Sequence, residues 1–115
     1  MPESYSIAML AAVKFLDNNG FSDIDVYGFI CDEGDVQIIA KQGETTHLVM
    51  AKAKRARGGL EKPTESESKL RHIAMAYLIE HPDVRALQMD IIEARIGEHA
   101  TVTINSNMNA YSWER

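Results

Sequence analysis

The sequence predicts an α/β fold, a mixed sheet of about five strands flanked by two helices. Three observations point there. Tyr5, Ala8, Ala12, Phe15 and Leu16 recur at spacings of three and four, the stripe of a helix laid on a core. Residues 34–55 instead alternate with a period of two on both sides of Gln42-Gly43-Glu44, the pattern of two strands and a tight turn. A second helical stripe (Leu70, Ile73, Ala74, Tyr77, Leu78) then separates this pair from another apolar run, Val84 to Ile96.

In chain order, the first helix is expected over residues 4–19, stopped by Asn18-Asn19-Gly20. Ile24 to Cys31 (IDVYGFIC) is rich in β-branched and aromatic residues and reads as one strand. Asp32-Glu33-Gly34 turns the chain into the two alternating strands. Residues 56–63 (ARGGLEKP), with the Gly58-Gly59 pair, are the loosest stretch. Thr64-x-x-Glu67 directly after Pro63 reads as a capping box for the second helix, and His81-Pro82 ends it. A right-handed crossover then places the Val84 strand parallel to the Thr46 strand. Thr101 to Asn105 reads as a short last strand. The polar tail beyond it carries Tyr111 and Trp113, which cover an edge of the core or a subunit contact.

At 115 residues, 45% hydrophobic and 25% charged, the chain has the size and composition of one domain, 1–115, with a single core. No apolar run approaches the ~20 residues of a membrane span, and no leader pattern opens the sequence, so a cytoplasmic protein is expected. Its one cysteine, Cys31, excludes an internal disulfide and a paired-cysteine zinc site. A net charge of −5 argues against wrapping nucleic acid over the whole surface and leaves room for a local basic strip.

Two adjacent strands such as 34–42 and 45–55 are a natural frame for a metal site. An acidic residue on each, with a lysine two residues beyond the second, would hold a divalent cation against a phosphodiester. The residues at those places are Gln37, Ala51 and Ala53. Asp35, in the acidic cluster with Asp32 and Glu33, is the one weak metal candidate; three carboxylates around a glycine are also ordinary turn chemistry. Lys52 falls out of register with Ala51 and Ala53 and is expected on the other face. Lys52, Lys54, Arg55 and Arg57 form the densest positive charge in the chain. They read either as phosphate contacts beside a glycine loop or as solvated charges that discourage edge pairing. His47, His72, His81 and His99 have no metal-ligand spacing and are expected to be surface or partly buried structural residues.

The order of these pieces resembles the YraN-like family of uncharacterised, endonuclease-like proteins. Ala12, Phe15, Leu16 and Gly20 match its first helix. Gly34, Asp35, Gln37, Ile38 or Ile39, and Ala40 follow its acidic strand in spacing, and Leu48 to Arg55 lies where its V-F-V-E-V-K-x-R strand does. Lys69, Ile73, Ala76, Tyr77 and Leu78 echo its second helix, Met89-Asp90-Ile91-Ile92 its R-F-D-V-V strand, and Asn109-Ala110-Tyr111 its closing N-A-F. The resemblance implies a restriction-endonuclease-like fold with a metal-binding Asp followed by Glu-x-Lys. Those positions carry Gln37, Ala51 and Ala53, and a first-helix glutamate falls at Met9; Arg55 matches the family arginine.

Alanine supplies no ligand and neutral glutamine only a carbonyl oxygen, so nothing here would hold Mg²⁺ or lower the pKa of an attacking water. The expectation is a catalytically silent member that needs no cofactor and binds nucleic acid weakly. The rival is an active nuclease, with Mg²⁺ or Mn²⁺, whose ligands have moved to residues such as Asp35 and Lys52. A third reading is a protein-partner domain, homodimeric through the Val84 strand or the aromatic tail.

Overall fold

A computed structural model describes residues 3–56 and 61–115. Helix α1 (Glu3–Asn18) leads into β1 (Ser22–Asp25), β2 (Phe29–Cys31), β3 (Gly34–Val36), β4 (Ile38–Gln42) and β5 (Thr45–Arg55). Helix α2 (Glu67–Glu80), β6 (Ala86–Ile96) and β7 (Val102–Glu114) follow. The main sheet has the order β1-β4-β5-β6-β7, and β2 and β3 form a separate small pair. β5 and β6 run parallel over eleven residue pairs, from Thr45↔Ala86 to Arg55↔Ile96; the other ladders are antiparallel. The mixed five-stranded sheet between two helices is therefore the architecture of this chain.

Alternation along β5 divides the core in two. Leu48 and Met50 pack with Leu70, Ile73, Ala74 and Tyr77 of α2, while Val49 and Ala51 pack with Ala12 and Leu16 of α1. β6 divides the same way, Leu87, Met89 and Ile91 toward α2 and Ile92 toward α1. Both faces are covered, which is why the parallel pair reads as nearly continuous apolar sequence. The Tyr5 side chain lies outside the described residues.

Four local expectations are corrected. The run Ile24 to Cys31 is two strands, because Asp25 Oδ1 accepts from the Tyr27 backbone N–H at 2.8 Å and Gly28 takes φ +68°. A Cβ on Gly28 would lie 2.0 Å from the Val36 carbonyl oxygen, so only glycine passes there. The strand from residue 34 is likewise two, broken at Gln37. At α2 the capping residue is Ser66, not Thr64: its side chain accepts from the Lys69 N–H at 3.1 Å and the helix begins at Glu67. Finally, the last strand runs thirteen residues, to Glu114, and pairs along all of β6. Asn and Ser have poor strand propensity, but a partner strand with an open edge supplies their backbone bonds. Tyr111 and Trp113 are half-buried against the α2-side core.

The hairpin between β4 and β5 has only Gly43 and Glu44 between the paired residues Gln42 and Thr45. Positive φ at Gly43 alone (+61°) is the type II′ pattern, whose twist suits a two-residue hairpin.

Candidate functional site

The three motif positions lie together at one end of the β4–β5 ladder. Val36 packs on the α2 side and Ile38 on the α1 side, although residues two apart on a regular strand share a face. The alternation therefore slips at Gln37. Its side chain does not project from the sheet as a metal ligand would. Gln37 Oε1 instead accepts the Ala51 backbone N–H at 2.8 Å, and Nε2 donates to the Asp35 carbonyl at 3.4 Å. The amide stands in for a ladder partner that the broken strand does not supply. Two metal ligands on adjacent strands would have to share a face; Gln37 and Ala51 instead meet through a side-chain-to-backbone hydrogen bond.

Ala51 is 5% exposed and belongs to the α1-side core, against which Met9 also packs. Ala53, two residues on, shares that face and is exposed. Of the four positions that the resemblance assigns to charged residues, two are packed apolar side chains, one is an exposed alanine and one is a committed amide. These residues do not fit a divalent cation. Among the described residues no three His, Cys, Asp or Glu side chains are grouped to hold a metal ion. Asp35 is exposed on β3, in the small two-stranded sheet.

The basic strip splits by the same alternation. Lys52 points to the α2 side, as expected, and pairs with Glu65 at 3.1 Å. Lys69 reaches the same carboxylate at 3.2 Å. Burial pushes the Glu65 pKa up, but hydrogen bonds and charge from Lys52 and Lys69 outweigh it, so the carboxyl sits below its ordinary value. Lys54 and Arg55 remain exposed and make no ion pair among the described residues. With Ala53, Ile96, Gly97 and Glu98 they line a cleft of about 710 Å³ at the end of β5 and β6. Arg57, with Gly58 and Gly59, lies outside the described residues.

Two buried polar pairs are additions to the expected set. Arg95 Nε donates to Glu93 Oε1 at 2.8 Å on the α2 side, and Arg95 also bonds the Glu61 carbonyl. Asn105 and Asn107 of β7 bond the carbonyls of Glu61 and Pro63, tying the segment before α2 across the sheet. On the α1 side, His47 Nδ1 lies 2.6 Å from Asp90 Oδ2. His47 is 3% exposed and Asp90 fully buried, which corrects the expectation of a surface or partly buried histidine. The signal was in the sequence: each is an ionisable residue beside a run of apolar ones in a strand (HLVM and MDII), and such residues need partners when buried.

The aromatic Phe21 packs edge-on against the His47 ring with centroids 4.7 Å apart. Opposite Asp90 the chain of β7 bulges, since Met89 pairs with Tyr111 and Ile91 with Asn107. Asn109, at φ +61°, turns its backbone N–H onto Asp90 Oδ1 at 2.7 Å. Both carboxylate oxygens of Asp90 are thereby engaged.

No protein-family model matches the sequence, and no curated protein matches it. Among the described residues no helix is long and apolar enough to cross a membrane.

Proposed function

We propose that this chain is a nuclease-fold protein that has lost catalysis and acts in the cytoplasm by binding nucleic acid weakly, without a metal. One observation carries the loss of catalysis: the Gln37 amide is spent on the backbone of Ala51, which is itself buried in the α1-side core. A metal ligand there would have to break a ladder bond and enter an apolar core. The order of helices and strands and the restriction-endonuclease-like pattern of the sequence support the fold family. A relocated site on Asp35 and Lys52 is disfavoured, because Lys52 is neutralised by Glu65.

The binding reading rests on Lys54 and Arg55, exposed at the mouth of the cleft beyond β5 and β6. Phosphate contacts from such residues are insensitive to base sequence and weaken with salt. A homodimer would use the aromatic tail rather than the strand after Val84, because β6 lies between β5 and β7 while β7, with Tyr111 and Trp113, is an edge.

Anisotropy titrations against single-stranded, duplex and branched DNA and RNA over a salt series test this reading. Lys54→Glu with Arg55→Glu is expected to lower affinity for every sequence alike. It should also flatten the salt dependence by about one unit of slope for each phosphate no longer neutralised. Unchanged affinity in that variant would make the two residues surface decoration.

A further inference from the structure

The His47–Asp90 pair has the construction of a site rather than of core filling. A carboxylate only accepts, so His47 Nδ1 carries the proton shared with Asp90 and Nε2 faces the other way. Nε2 makes no hydrogen bond among the described residues, and no buried side-chain nitrogen or oxygen there lacks a partner. It therefore meets solvent. It does so in a pocket of about 240 Å³ between the end of α1 and the start of β5 and β6. Asp90, fixed by the bulge at Asn109, orients the imidazole; bulges that re-aim a group in this way gather beside functional sites.

The lining says what would enter. Phe15, Phe21 and Met108 offer apolar and aromatic surface, and Gln42, Gln88 and His47 offer polar atoms. Gln88 lies directly opposite His47 in the β5–β6 ladder. The Gln42 amide is oriented by donating to the Asn19 carbonyl at 3.0 Å, which leaves its oxygen to accept. Side-chain amides carry a donor and an acceptor side by side, the complement of a heterocycle edge, and aromatic side chains stack on its face. The carboxylate of Asp90 behind the imidazole disfavours an anion, so the phosphate of a nucleotide belongs outside.

We propose that this pocket, centred on His47 held by Asp90, binds a single nucleobase, either of a free nucleoside or splayed out from a strand. The strand form rests on the nucleic-acid reading above. His47 and Arg55 share the α1 side of β5, eight residues and so ~26 Å apart at the strand rise, a span that an extended oligonucleotide bridges.

Three arms of one experiment separate the claims. Affinity is measured for the four nucleosides, for a short single strand, and for the same strand carrying abasic sites, with wild type and with Gln88→Leu, whose folding is checked by circular dichroism. The proposal expects at least one nucleoside to bind and to move the His47 imidazole ¹⁵N resonances. It also expects abasic substitution or Gln88→Leu to weaken the strand roughly tenfold. If the strand binds but neither change weakens it and no nucleoside moves His47, the pocket proposal is wrong while the nucleic-acid reading stands. If no strand binds and a nucleoside does, the nucleic-acid reading fails and the base pocket stands as a nucleoside site. If nothing binds, both fall.

Discussion

Replacing His47 by leucine removes one partner of a largely buried pair and leaves the fully buried Asp90 carboxylate with a single hydrogen bond, from the Asn109 N–H. Breaking such a pair by deleting one member costs roughly 3–5 kcal/mol, because the remaining charge is uncompensated. A chain of this size has about 5–15 kcal/mol of stability in all, so the loss is a large fraction of it. With a urea slope of about 1–3 kcal/mol per molar, the midpoint of unfolding should fall by ~1 M or more. The second member of the cycle tells charge from packing. Asp90→Asn keeps an oxygen for the Asn109 N–H but removes the charge, so His47→Leu with Asp90→Asn should be more stable than His47→Leu alone. Urea unfolding at pH 7, followed by circular dichroism, measures both. A double variant that loses the sum of the two single effects would show that the pair is not coupled and would refute the reasoning. Should His47→Leu fail to fold, a folded double variant supports the same conclusion.

Gln37→Leu leaves the Ala51 N–H without its acceptor and should destabilise by about 1–3 kcal/mol, read as a lower urea midpoint. Restoring the motif as Gln37→Asp, Ala51→Glu and Ala53→Lys should cost more than that single change, since a carboxylate enters the α1-side core; Mn²⁺ should recover part of the loss if the site closes around it. Gly28→Ala should be among the most damaging single substitutions, because its Cβ meets backbone rather than a movable side chain. The Glu65 contribution depends on pH. Its folded pKa lies below the unfolded value near 4.5, so its stabilisation is present above that pH and is lost as pH falls through the folded value. Glu65→Gln should therefore flatten the acid limb of the stability profile, by under ~1 kcal/mol, with no effect on its alkaline side.

Much of this architecture was legible because it follows from period. The stripe Ala8, Ala12, Leu16 and the alternation of residues 45–55 each name an element and the face it buries, and a parallel β5–β6 pair follows from the intervening helix. What escaped was set by partners rather than by propensity. β7 is strand because β6 lies open beside it, and Asn109 takes positive φ because Asp90 needs its N–H. The break at Gln37 is local, yet its reason, the Ala51 N–H, lies fourteen residues away. For the candidate site, the lack of ligand side chains at Gln37, Ala51 and Ala53 was readable directly from residue chemistry. The burial of Ala51 and the bond made by the Gln37 amide required the fold. The basic strip looked continuous in sequence, but alternation sends Lys52 to the α2 side, where Glu65 holds it.

Nucleic-acid binding without a metal and without cleavage is the central claim. Its most direct test is one anisotropy titration of a labelled single strand, run in EDTA and in Mg²⁺ at matched ionic strength, with the strand checked for length afterwards. The same dissociation constant in both, with an intact strand, is the predicted result. Binding that requires Mg²⁺, or a strand shortened only in its presence, would contradict it and mean that the ligands had moved rather than vanished.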